Sequence, residues 1–178
     1  MKREVYFMGT INVESLTELI KEILLLYNQN PNEEITLLMT SWGGSISLAL
    51  SFYEWVKIKN IPLVTVAIGE VSSAGMFLFL SGKKRKATSN SFFILHKGGS
   101  VKSDLLMLFL WFFSHERYLD EKDWWRKVRE IIKEILKKET KLSPEEIKKS
   151  LNRHLTLWPE EAKSLGIVHE IIYTITYP

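Results

Sequence analysis

The stretch GEVSSAGMF, residues 69–77, sets two adjacent hydroxyls where a β-branched apolar run stops and a short apolar helix begins. A serine there can do acyl-transfer chemistry if three things meet: an exposed hydroxyl, a base within hydrogen-bond reach, and backbone donors aimed at the developing oxyanion. Each has a candidate. A helix starting at Ser73 presents free N–H groups and the positive end of its dipole beside the serine. Gly43 and Gly44 follow a second apolar run, and glycine lets the main chain turn sharply and approach a ligand closely, so Gly44 can aim its N–H at the same spot. His96 closes a third run, SFFILH at 91–96. Each feature alone has a plainer reading: a helix cap for the serines, a tight turn for the glycines, a half-buried hydrogen-bonded residue for the histidine. Their order and spacing make them a set.

The elements that must position this set alternate in type. EVYFMG (4–9) reads as a strand, with Asn12 capping a helix whose apolar residues Leu16, Leu19, Ile20 and Ile23 recur at helical spacing. EITLLM (34–39) reads as a buried strand, 46–60 as a helix, PLVTVAIG (62–69) as a central strand, 74–82 as a short apolar helix and 91–96 as another strand. This β-α-β-α-β-α-β order predicts a largely parallel sheet with right-handed crossovers, whose strand tips along one edge are where ligands bind. From Ser103 to about Lys138 the pattern is helical, with Val128, Ile131, Ile132, Ile135 and Leu136 as one apolar stripe on a charged arm. SPEE at 143–146 is a capping box, and 159–172 reads as a helix stopped by Gly166 that runs into a last strand. No repeat or linker interrupts the chain. One domain over 1–178 is expected, with a head at 1–100 and 139–178 and a helical arm at 101–138.

Composition removes several function classes. The chain has 178 residues, 46% of them hydrophobic, enough to bury about two-thirds or more of its unfolded surface in one core. The net charge of +3 comes from 24 basic and 21 acidic residues, concentrated in GKKRK at 82–86 and IKEILKKETK at 132–141. No aromatics alternate with GKKRK as a base-stacking platform requires, so the run reads as solvated surface and no nucleic-acid partner is expected. The absence of cysteine excludes disulfides and thiolate metal sites and suits a reducing, cytoplasmic setting. His115 and His169 have no companion at metal-ligand spacing and read as structural or solvated, so neither a metal nor another cofactor is expected. MKREVYF passes from two cations straight into a strand-like run, so no secretion signal is expected. The longest apolar run, LLMLFLWFF at 105–113, is too short for a bilayer span, which needs roughly twenty residues.

TSWGGSISLALSFYEWV, VAIGEVSSAGMFLFLSG and SFFILHKGG resemble the three signature segments of the Clp protease proteolytic subunit family, within the ClpP/crotonase superfamily. The resemblance covers about Glu4 to Gly99 and about Leu151 to Ile172, with the arm between them matched in helical character only. It implies an α/β fold of the ClpP/crotonase type: a β-α-β superhelix with a mostly parallel sheet and a protruding helical handle. It implies a serine endopeptidase that cleaves unfolded proteins or short peptides. The family's nucleophile spacing selects Ser73 and leaves Ser72 as a small packing or capping neighbour. Its base falls on His96, and its oxyanion donors on the N–H groups of Gly44 and Ala74.

The third catalytic member is where the chain departs. Counting back from EEAKSLGIV puts His154 where the family carries aspartate, with Asn152 and Asp104 as alternatives. A neutral imidazole can fix the tautomer of His96 but cannot stabilise the imidazolium as a carboxylate does, so slower turnover is expected. Trp42 stands where the family has proline ahead of the glycine pair, and Lys97 where proline follows the base. The arm matches the helix by which two family rings stack, so Leu105 to Phe113, Trp124 and Trp125 are expected in a homo-oligomer interface. An AAA+ unfoldase is a candidate partner, and the short stretch ahead of the first strand, where the family carries its axial segment, counts against it. Two other classes compete: a catalytically silent scaffold subunit, favoured by the altered third residue, and a crotonase-like acyl-CoA enzyme, which explains the glycine turns but gives Ser73 and His96 no purpose.

Overall fold

The structure is a computed structural model that describes residues 2–96 and 115–173. Its elements in chain order are β1 (Glu4–Ile11), α1 (Val13–Gln29), β2 (Ile35–Gly44), α2 (Ile46–Ile58), β3 (Leu63–Ser72), α3 (Gly75–Leu80), β4 (Lys84–Thr88), β5 (Phe92–Leu95), α4 (His115–Glu139), α5 (Pro144–Ser150), β6 (Leu155–Leu157), α6 (Pro159–Ser164) and β7 (Glu170–Ile172). The sheet runs β1-β2-β3-β4-β7, all parallel. One edge of β3 is shared: residues 64–67 pair with β4 and residues 70–72 with β5. That split lets β5 leave the sheet path beside the C-terminal tip of β3. It pairs there with antiparallel β6.

Local signals fix the helices. Asn12 Oδ1 accepts from the Ser15 N–H at 2.9 Å and Ser15 Oγ accepts from the Asn12 N–H at 3.1 Å, closing a capping box on α1. Leu16, Leu19, Ile23 and Leu26 then fall on its buried face. Ser45 caps α2 by accepting from Leu48 N–H at 3.4 Å, and Ala49, Phe52, Tyr53 and Val56 face the core. The Ser143 and Glu146 box opens α5, with proline at the first turn where its missing N–H costs nothing. A single apolar cluster joins these helices to the strands and takes in Val128, Ile132, Ile135 and Leu136 of α4.

The sequence reading needs several corrections. β2 and β3 do not stop at residues 39 and 69 but run on to Gly44 and Ser72, so the glycine pair and the first serine are strand residues. Ile11 pairs with Gly44 and Ser41 with Val71 across those extensions. GKKRK is not solvated surface throughout. Residues 84–88 form β4, and Arg85 at its second position is only 5% exposed. β6, three residues long, was not expected at all. Asp104 and the apolar run Leu105 to Phe113 lie outside the described residues, and so does the arm ahead of His115. Among the described residues no helix is long and apolar enough to cross a membrane.

Candidate active site

The tips of β2 and β3 touch through glycine. A Cβ on Gly43 would lie 2.7 Å from Ser73 Cβ and 3.2 Å from the Ala74 nitrogen, and one on Gly44 would lie 2.4 Å from the Ile11 carbonyl oxygen. Only a residue without a side chain brings the two main chains this close, and both glycines also have positive φ, +94° and +136°. Ser73 has φ +53°, a left-handed conformation that costs a β-carbon residue on the order of 1–2 kcal/mol. Its N–H donates to the Ile94 carbonyl at 2.9 Å, which pins the strained residue beside β5, two positions before His96.

The serine pair does not cap the helix. α3 begins at Gly75 with Ala74 as its cap residue and no side-chain cap bond. Ser72 is 5% exposed and its hydroxyl is hydrogen-bonded to Glu70 Oε1, while the Glu70 carbonyl accepts from Thr40 Oγ1 at 2.9 Å. Ser72 is therefore a packed, bonded strand residue, and Ser73 is the hydroxyl at the turn.

Ser73, Ala74, Gly44 and His96 all line one cavity of about 490 Å³. Met76, Phe77, Leu95, Ile132 and Leu136 form much of its apolar wall, and Trp42, Trp124 and Trp125 add three indoles. Trp124 and Trp125 meet edge to face, 4.7 Å between centroids. Within one chain α4 lays this pair against the cavity. Nothing in the spacing of residues 42, 124 and 125 signals that convergence, because it depends on where α4 returns to the sheet.

His154 is brought opposite His96 by register. β5 and β6 pair Leu95 with Leu155, so the next residue of one strand faces the preceding residue of the other. The two rings lie 6.4 Å apart between centroids and 17° from parallel. That spacing makes them neighbours, beyond the N···N distance of about 2.7–3.2 Å for a direct bond. Asn152 is placed differently: its Oδ1 accepts from Arg129 Nη2 at 2.7 Å, its Nδ2 donates to the Lys148 carbonyl at 2.8 Å, and it lines a separate groove between α4 and α5.

A second polar centre, which the sequence did not announce, locks the end of α4 to the sheet. The Arg85 guanidinium donates five hydrogen bonds to described residues: Nε to the Ile167 carbonyl at 2.8 Å, Nη1 to the Gly82 carbonyl at 3.4 Å and Glu139 Oε2 at 3.1 Å, and Nη2 to the carbonyls of Glu139 at 2.7 Å and Gly166 at 2.9 Å. Tyr53 and Lys57 reach the other carboxylate oxygen of Glu139 at 2.7 and 2.9 Å. Burial pushes the Glu139 carboxyl up, but the hydrogen bonds from Lys57 and Tyr53 and the Arg85 charge hold it below its ordinary value. Burial and then Glu139 raise the Tyr53 phenol, and burial lowers Arg85. His169 accepts from the Arg85 N–H through Nδ1 at 3.2 Å, and burial with the nearby guanidinium lowers its pKa. Among the described residues no group of three or more His, Asp, Glu or Cys side chains gathers as a metal-ligand set.

A mostly parallel sheet with helices, strand tips converging on one cavity and a long helix packed beside it is the ClpP-type α/β architecture. The Clp protease family model matches residues 1–107 and 115–174, and the chain belongs to that family. It is 26% identical to the ATP-dependent Clp protease proteolytic subunit of Deinococcus radiodurans, over 97% of this chain and 81% of that one. Proteolytic subunit 1 of Rhodopirellula baltica is also 26% identical, over 96% and 72%. Among solved structures, a point mutant of ClpP1 from Listeria monocytogenes superposes with a TM-score of 0.81 at 27% identity, over 97% of this chain and 92% of that one. ClpP1 from the same organism gives 0.77. These relatives support a peptidase and favour neither the scaffold nor the acyl-CoA alternative.

Proposed function

We propose that the protein is a serine endopeptidase in which Ser73 is the nucleophile, His96 the general base, and the N–H groups of Gly44 and Ala74 the oxyanion donors. The observation that carries this reading is the left-handed Ser73, tied by its N–H to Ile94 and sharing one cavity with His96, Gly44 and Ala74. Strain at a single hydroxyl residue, held by contacts on three strands, is the kind of cost a fold retains where the residue must point at a substrate.

His96 takes the Ser73 proton as Oγ attacks the peptide carbonyl. The carbonyl oxygen gains the electron pair and is met by the two backbone donors, one from each strand tip. His96 then returns the proton to the leaving amine as the C–N bond breaks, and a water repeats the sequence on the acyl-enzyme. His154 stands across from His96 and orients it through an intervening water or a small ring movement. An imidazole supplies no negative charge, so the imidazolium of His96 is less stabilised than beside a carboxylate. Substrates are unfolded or short peptides that present apolar side chains to the cavity.

The chain acts as one domain, with residues 1–100 and 139–178 as the head and 101–138 as the handle. It assembles as a homo-oligomer through that handle, and an AAA+ unfoldase is the partner class its relatives suggest by their description as ATP-dependent subunits. A fluorogenic apolar peptide tests the reading: turnover that disappears in Ser73→Ala and His96→Ala, with melting and assembly state unchanged, supports it. Undiminished turnover in Ser73→Ala overturns it.

A further inference from the structure

Trp42 is 64% exposed, although it is the largest side-chain type and lines a largely apolar cavity. β2 alternates the buried Met39 and Ser41 with the less buried Thr40 and Trp42, so the indole sits on the more exposed side of the strand. Its inner edge is supported by a bare patch of main chain: a Cβ on Gly9 would lie 3.8 Å from the indole Cζ3. The next residue, Gly43, abuts Ser73 and Ala74. The indole is thus anchored at one side, open at the other, and one residue from the reacting groups. It lines the same cavity as Ser73, His96, Trp124 and Trp125. Among the described residues, no Asp, Glu, Lys or Arg lines that cavity.

We propose that Trp42 is a specificity-determining residue whose open face stacks on an aromatic or long apolar side chain of the bound peptide. This inference rests on the peptidase reading and deepens it. The cavity takes one bulky apolar side chain beside the cleaved bond, and Trp42 at its rim takes a second from the same extended chain. The protein therefore selects peptides bearing two bulky apolar residues around the cleaved bond over peptides bearing one. An aromatic pair in offset or edge-to-face contact adds attraction beyond the area it buries, and the largely apolar lining among the described residues favours such a side chain over an ionic one.

The test uses the full chain carrying Ser73→Ala, so that binding is read without turnover, and a set of apolar peptides in which phenylalanine replaces alanine at each position in turn. Calorimetry should find one position, apart from the one buried in the cavity, where phenylalanine tightens binding by about tenfold. Trp42→Ala should erase that gain and Trp42→Phe should keep most of it. In the protein with Ser73 intact, the kcat/KM ratio of the phenylalanine to the alanine peptide should fall by about tenfold in Trp42→Ala, through KM. A loss of equal size for every peptide would assign Trp42 to holding the glycine pair and overturn the proposal, as would a ratio that does not change. The two readings separate cleanly: position-dependent binding without any cleavage removes the peptidase reading alone, and cleavage without Trp42-dependent selection removes only this inference.

Discussion

The tips of β2 and β3 and the junction around Arg85 are built on opposite rules. At the tips, main chains are forced together by glycines that no other residue can replace, Ser73 is held in a left-handed turn, and the surrounding wall is open to a ligand. At the junction, a buried guanidinium meets five acceptors and the facing carboxylate is claimed by Tyr53, Lys57 and Arg85. One region holds a hydroxyl residue in a strained turn beside a cavity; the other pairs the Arg85 guanidinium and the Glu139 carboxylate with partners that hold the end of α4 against the sheet. The second serves the first, because α4 carries the Trp124, Trp125, Ile132 and Leu136 wall of the cavity.

Perturbing each region should therefore give opposite phenotypes. Ser73→Ala is expected to lower peptide turnover by about 10⁴-fold or more while leaving the melting temperature within a degree or two of the parent, as steady-state kinetics and calorimetry would report. Arg85→Ala should do the reverse first. It empties a buried site, removes the charge facing Glu139 Oε2 and leaves the carbonyls of Gly82, Gly166 and Ile167 without their donor, and should cost about 3–5 kcal/mol of unfolding free energy in urea titration. Arg85→Met, which fills the space without a charge, still leaves Glu139 with Lys57 and Tyr53 and should cost less.

Gly43→Ala tests whether the tips depend on close approach. The added methyl meets Ser73 Cβ, and turnover should fall by about a hundredfold with a destabilisation of about 1–3 kcal/mol. A smaller effect of opposite sign is expected at His154, the proposed third catalytic residue. His154→Asp places a carboxylate opposite His96 and should raise kcat by about tenfold, whereas His154→Ala should lower it only a few-fold.

The gentlest probe is pH. Glu139 has a folded pKa below its ordinary value of 4.5, so it contributes stability above that value and loses it as pH falls through the folded pKa. His169 is also depressed from 6.5, so the folded state binds fewer protons than the unfolded chain below that point and stability declines as pH drops through the ordinary histidine range. Melting curves between about pH 8 and pH 2 should show both steps, the Glu139 step below pH 4.5. His169→Gln should remove the upper one and leave the lower.

The tips were legible in the sequence and the junction was not, for one reason. Gly43, Gly44, Ser73 and His96 are constrained by main-chain geometry within short segments, so residue type and spacing carry the information. Arg85 sits among Lys83, Lys84 and Lys86, and only the parallel partners on either side of β4 turn that single cation inward. β6 is invisible for a related cause: three residues have no pattern of their own, and their strand exists because β5 pairs with them. The same pairing register places His154 across from His96, which the count along the chain had anticipated. The tryptophans at 42, 124 and 125 belong to two elements far apart in sequence, and their meeting around the cavity is a tertiary fact.

The central claim is that Ser73 alone among the hydroxyls is activated. A serine-directed fluorophosphonate, followed by proteolysis and mass spectrometry, reads it directly. A single adduct on Ser73 that requires His96 and is lost in Ser73→Ala is the expected result. An adduct on Ser72 or another hydroxyl, or labelling that persists in Ser73→Ala, would contradict it.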